Sequence, residues 1–157
     1  MVRRLPRARA GLSRLAASPV PAAPPAPTRP ETKPTTLPAG LPVRELTLRL
    51  TGDMQRYIWS FNGKTIDEEG IIPVKRGEIL RMELVNDTMM THPIHLHGMW
   101  SDIQRPKGGL QVRKHTILIQ PAQEISFDFT GIQGRWAWHC HFLYHMHAGM
   151  MREVEVI

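Results

Sequence analysis

Cysteine is nearly absent from this chain, which holds one, Cys140, in 157 residues. An intrachain disulfide is therefore excluded, and a lone thiol among histidines is either a nucleophile or a metal ligand. Histidine is missing from residues 1–91 and then occurs eight times between 92 and 147. No run approaches the ~18 apolar residues of a transmembrane helix. No stretch of about ten residues or more carries convincing helical periodicity. Acidic residues are scarce only at the start: residues 1–44 hold eight Lys/Arg against the single acid Glu31, while 45–157 hold twelve basic and thirteen acidic residues. The formal net charge of +6 thus belongs to the N-terminal segment, and the near-neutral remainder lacks the electrostatic footprint of a nucleic-acid binder.

That segment also holds ten of the fourteen prolines. Proline fixes φ and donates no backbone hydrogen bond, so the run SPVPAAPPAPTRP at 18–30 suits neither a helix interior nor a central strand. Residues 1–42 are expected to be a disordered, basic, Pro/Ala-rich segment. The opening MVRRLPR has the look of a twin-arginine export signal. The GLSRLAAS that follows is short, weakly apolar and interrupted by Arg14, so the segment reads as a linker rather than a working signal peptide.

From about Leu41 the pattern changes to period two. Leu46, Leu48 and Leu50 alternate with Thr47 and Arg49; Leu80, Met82 and Leu84 alternate with Arg81 and Glu83; Ile125, Phe127 and Phe129 repeat the scheme, as do Val154 and Val156. Strands with one buried face produce this alternation. YIWSFNG at 57–63 reads as a strand ending in an Asn-Gly turn. HTILIQ at 115–120 reads as another, stopped by Pro121. Residues between Ser101 and Lys114 read as a polar, Gly-containing loop. Short strands between turn signals predict an antiparallel β-sandwich or barrel over 43–157.

The histidines form two clusters, HPIHLHG at 92–98 and WHCHFLYHMHAGM at 138–150, with His115 apart. Side chains two apart in a strand share a face. His95 and His97 therefore project together, as do His139 and His141, while Cys140 points to the opposite side. One strand then offers two imidazoles to one environment and a thiolate to another, an arrangement suited to passing an electron between metals. A thiolate, two imidazoles and a weak axial thioether are the ligands of a blue-copper site. Cys140, His145 and Met150 supply three of them, with Gly149 easing the turn before Met150. His92, held extended by Pro93, is the candidate second imidazole. Zinc is the rival metal, but its structural sites favour C-x-x-C and H-x(3–5)-H pairs rather than alternate residues. A Cys-His nucleophile leaves the other histidines unexplained.

The two clusters resemble the C-terminal copper motifs of the multicopper oxidases, enzymes built from cupredoxin domains that include laccases, ascorbate oxidases and bacterial copper-resistance oxidases. LVNDTMMTHPIHLHGMWSD at 84–102, RKHT at 113–116 and DMQRYIWSFNG at 53–63 are most similar to the periplasmic copper-resistance branch. The likeness covers roughly 43–157 and implies a cupredoxin-like (plastocyanin-like) Greek-key β-sandwich, the last domain of such an enzyme. It implies a type 1 copper on His92, Cys140 and His145 with Met150 axial. It gives His95 to a type 2 copper and His97, His139 and His141 to a type 3 pair. It makes Cys140, His139 and His141 the electron path. A periplasmic location and a role in copper resistance follow from the same resemblance, with Cu(I) or another small reducing substrate such as a phenol as electron donor.

The family closes its trinuclear cluster with further histidine pairs from an N-terminal cupredoxin domain, and none precedes His92 here. One complete type 1 site and half of a trinuclear site are expected, with oxygen reduction only where a partner chain or domain adds the missing imidazoles. The alternative is a single-domain blue-copper carrier or copper-binding module without oxidase activity, and retention of four cluster histidines argues against it. His147 and His115 read as exposed or structural. Met89, Met90, Met99, Met146 and Met151 read mostly as flexible packing, and Trp136 and Trp138 as core. Asp102 reads as a loop carboxylate, and Asn86 as a brace for the Cys140 loop or a strand-end turn residue.

Overall fold

The computed structural model describes Leu37 and residues 40–157. The basic segment assigned to 1–42 lies outside the described residues, apart from Leu37 and 40–42. The remainder forms eleven strands and one short helix. In chain order the strands are β1 (Val43–Asp53), β2 (Ile58–Phe61), β3 (Ile71–Val74), β4 (Ile79–Asn86), β5 (His92–Leu96) and β6 (Ser101–Gln104). They continue with β7 (Leu110–Lys114), β8 (Thr116–Ile119), β9 (Glu124–Thr130) and β10 (Gly134–Cys140). Helix α1 (Leu143–His147) and strand β11 (Met151–Val156) complete the chain.

Two sheets pack face to face, one ordered β2-β1-β4-β9-β6-β7 and the other β3-β11-β10-β5-β8. Their inner faces carry the alternating apolar residues read from the sequence. Leu50, Leu80, Met82, Leu84, Phe127 and Phe129 from the first sheet meet Ile94, Leu96, Ile119, Trp138, Val154 and Val156 from the second. The Asn-Gly turn forms as expected: Asn62 and Gly63 both have positive φ, and Phe61 and Lys64 exchange backbone hydrogen bonds across it.

Two expectations are corrected. The sheets are mixed rather than antiparallel, because β1 pairs with β4 and β11 with β3 in parallel. β1 and β4 are separated along the chain by β2 and β3, and β3 and β11 by the seven strands β4 to β10, so local turn signals do not reveal either pair. Residues 101–114 are also not a loop. They form the hairpin β6–β7, whose outward residues are charged yet covered: Asp102 is fully buried by Arg113 (2.7 Å), and its cross-strand neighbour Asp128 is covered by Arg81 (2.9 Å). Each carboxylate receives a two-pronged guanidinium bond, which lets two acids sit side by side on adjacent strands. Asp102 is thus a structural ion-pair partner in a strand, and not a loop carboxylate.

Pro73 lies in β3, which pairs only with β11, so its missing N–H falls on a sheet edge where it costs no ladder bond. Among the described residues no helix is long and apolar enough to cross a membrane.

Candidate metal centre

Strands β5 and β10 are hydrogen-bonded neighbours, with His139 opposite His95 and Cys140 opposite Ile94. This register decides the site. It places the inward residues His92 and Cys140 within the sandwich and leaves His95, His97, His139 and His141 on the outer side of the second sheet.

On the inner side, His92, Cys140 and His145 are all buried, and their donor atoms lie within 4.8 Å of one another. Cys140 Sγ is 3.7 Å from Nδ1 of His92 and 3.8 Å from Nδ1 of His145, and the two nitrogens are 3.2 Å apart. A trigonal ion with bonds of about 2.0 Å to nitrogen and 2.3 Å to sulfur needs separations of about 3.5 and 3.7 Å. The triangle therefore fits one metal ion without rearrangement. The helix α1 makes this possible by turning the chain back after Cys140, so that His145 faces the thiol. Met150 closes the loop: its carbonyl accepts the Cys140 N–H (3.1 Å), its N–H donates to the His145 carbonyl (3.0 Å), and its side chain is fully buried. Gly149 precedes it with φ of 116°, and a Cβ there would stand 2.6 Å from Thr65 Cγ2 and 2.8 Å from the Trp59 carbonyl. Glycine is thus required both by conformation and by space.

Burial sets the electrostatics. It pushes the Cys140 thiol up to about 11, offset in part by a backbone N–H from Phe142. Burial, with the neighbouring His145 second, pushes His92 down to about 4. Burial also lowers His145. The imidazoles are neutral near pH 7 and ready to coordinate, whereas the thiol gives up its proton only to a cation that replaces it.

Two residues that sequence reading passed over shape this pocket. The Thr88 hydroxyl lies 2.7 Å from Nε2 of His92, and Asn86 Oδ1 receives both the Thr88 N–H and the Thr88 hydroxyl. Asn86 Nδ2 donates to the Met90 carbonyl. Asn86 therefore braces the loop that delivers His92 rather than the Cys140 loop. Trp59, from the first sheet, stacks on His145 with ring centroids 4.1 Å apart and meets the His92 ring edge-on at 5.1 Å. A buried Asn-x-Thr turn ahead of the histidine was the available signal for the first. Trp59 had none beyond its place in a strand.

On the outer side His95, His97, His139 and His141 gather. Ring centroids are 4.8 Å apart for His95 and His97, 5.1 Å for His97 and His139, 5.5 Å for His95 and His141, and 6.0 Å for the stacked pair His139 and His141. His97 and His141 are exposed, His95 is half-buried and His139 is buried. Main-chain carbonyls orient two of them. His95 Nδ1 donates to the His115 carbonyl (2.6 Å) and His139 Nδ1 to the Cys140 carbonyl (2.9 Å), which leaves each Nε2 with a free lone pair. The Nε2 atoms of His97 and His139 stand 3.0 Å apart. Burial lowers both His95 and His139, so the lone pairs are available. His115 and His147 are exposed, as the sequence suggested. Trp138 is core, stacked on Phe61 at 4.4 Å. Trp136 is half-buried, donates to the Ile132 carbonyl and packs against Gly98. Met99 is buried in the core, while Met89 stands free in solvent.

An inward thiolate–imidazole triangle backed by an outward histidine group across the β5–β10 pair matches what family comparison finds. Residues 41–157 match the family model described as multicopper oxidase, and the chain belongs to that family. It is 53% identical over 116 residues to copper resistance protein A of Escherichia coli, covering 73% of this chain and 19% of that protein. It is 33% identical over 117 residues to the multicopper oxidase MmcO of Mycobacterium tuberculosis, covering 74% of this chain and 23% of that protein. The chain thus spans about a fifth of the length of these relatives. Among solved structures, McoA of Aquifex aeolicus superimposes with a TM-score of 0.62 at 22% identity, covering 80% of this chain and 31% of that one. The fold is accordingly all-β and cupredoxin-like, and the ligand triangle and the family agree on copper as the cofactor.

Proposed function

We propose that this chain is a copper-binding oxidoreductase domain of the copper-resistance type. In this reading His92, Cys140, His145 and the axial Met150 hold a type 1 copper. His95 gives one ligand to a type 2 copper, and His97, His139 and His141 give ligands to a type 3 pair. The missing imidazoles come from a partner domain or chain. Copper supplies one-electron redox chemistry at both places.

The observation that carries this reading is the division of three consecutive residues, at the end of β10 and just past it, between two faces of the sheet. Cys140 points into the buried triangle, while His139 and His141 point to the open histidine group. The two environments are therefore joined through single peptide units, and the Cys140 carbonyl additionally accepts the His139 Nδ1–H. The protein's own work is positional. Burial excludes water from the thiol, hydrogen bonds choose which imidazole nitrogen faces the metal, and His97 and His141 stay exposed for a second surface to cover.

An electron carrier needs only the inner triangle. Four imidazoles on one sheet face, two of them oriented by main-chain carbonyls and two exposed, support an incomplete cluster awaiting a partner. The electron donor is a small reductant, Cu(I) or a phenol. Copper resistance and a periplasmic location belong to the same reading and rest on the resemblance of residues 84–102 to that branch. The test is reconstitution with copper, alone and mixed with an N-terminal cupredoxin domain of the family, reading blue absorption, copper per chain and oxygen uptake. Uptake only in the mixture supports the proposal. Uptake by neither, with a full blue band, leaves the carrier as the function.

A further inference from the structure

Trp59 is the one described residue with a buried side-chain nitrogen that lacks a hydrogen-bond partner, its indole Nε1. Leaving such a donor unpaired in a buried site is costly, and a phenylalanine at the same position avoids that cost. The surroundings are nonetheless shaped around the full indole. A Cβ at Gly52 would lie 2.3 Å from the Trp59 ring, so β1 gives up a side chain to admit it. The Trp59 backbone N–H donates to the Ala148 carbonyl (3.2 Å), and its own carbonyl fills the space that a Cβ on Gly149 would need. The ring then lies nearly parallel to His145, at 22°, and crosses His92 at 64°. Trp59 thus touches both imidazoles of the triangle and anchors the segment that carries Met150. It comes from the opposite sheet, so it also ties the two layers together at the site.

We propose that Trp59 is a positioning residue that sets the redox poise of the inner copper site. The inference rests on the reading of His92, Cys140 and His145 as a type 1 copper site. The indole face fixes the plane of His145 and denies water the space beside both imidazoles. A dry, low-dielectric surround disfavours the more highly charged oxidised ion. Replacing the indole with a side chain that cannot stack admits water and lets His145 rotate, so the potential falls.

The test compares copper-loaded wild type with W59F, W59L and W138L, reading the potential by spectroelectrochemistry and the copper hyperfine splitting by EPR. Trp138 is equally buried but stacks on Phe61 rather than on a ligand, so W138L reports core damage alone. The expected result is a downward shift in potential for W59L, a smaller shift in the same direction for W59F, and an unshifted potential for W138L. If W59L does not fold, W59F carries the test. A W59F potential equal to wild type in that case overturns the proposal, as does an equal shift in W59L and W138L. A wild type that forms no blue centre instead overturns the reading beneath it.

Discussion

The Thr88 hydroxyl and Nε2 of His92 lie 2.7 Å apart, while the other nitrogen of the same ring faces Cys140 Sγ at 3.7 Å. A hydroxyl has one proton to give, and Thr88 has the Asn86 amide oxygen as an acceptor at 2.8 Å. It therefore accepts from His92, which fixes the proton on Nε2 and leaves the Nδ1 lone pair aimed into the triangle. Replacing Thr88 with Val removes the acceptor and strands the Nε2 proton. Copper affinity at the inner site is expected to fall by about 10–100-fold, and T88S to restore most of it. Competition against a chelator of known affinity measures both.

Gly149 is expected to tolerate no side chain. G149A combines a left-handed backbone conformation with a collision against Thr65 and the Trp59 carbonyl, so a destabilisation of about 1–3 kcal/mol is expected. Because Met150 follows directly, the blue band should also shift in whatever fraction still folds. Urea unfolding and the visible spectrum check the two effects separately.

Stability at low pH should depend on Glu78. Burial opposes its charge, but the Lys75 N–H and the Arg44 guanidinium outweigh that and hold its carboxyl below the usual range. A depressed carboxyl contributes stability that is present above its unfolded value and lost as pH falls through its folded value. E78Q should therefore lower the melting temperature at pH 7, and the gap from wild type should close as pH falls below the carboxylate range. Thermal unfolding from pH 7 to pH 3 follows it. A gap that widens with acid contradicts this account.

Much of the site was legible because strand geometry is simple. Alternation places His95 and His97 together, and His139 with His141 opposite Cys140, without knowledge of the partner strands. The aliphatic runs through Leu46–Leu50 and Leu80–Leu84 gave their strands for the same reason. What escaped was non-local. Asp102 and Arg113 look like loop residues until each is seen to neutralise the other across a hairpin. The parallel pairing of β1 with β4 leaves no mark in either segment. Trp59 gains its place against His145 only when the two sheets close, and Thr88 only when its turn folds over His92.

In the proposed reading, this chain holds a finished inner site and an unfinished outer one. Copper loading of the purified chain, followed by blue absorption, copper content and oxygen uptake, tests it most directly. A full blue band with one tightly held copper per chain, and oxygen uptake appearing only after an N-terminal cupredoxin domain of the family is added, is the expected result. A copper-saturated chain with no blue centre, or one that reduces oxygen unaided, would contradict it.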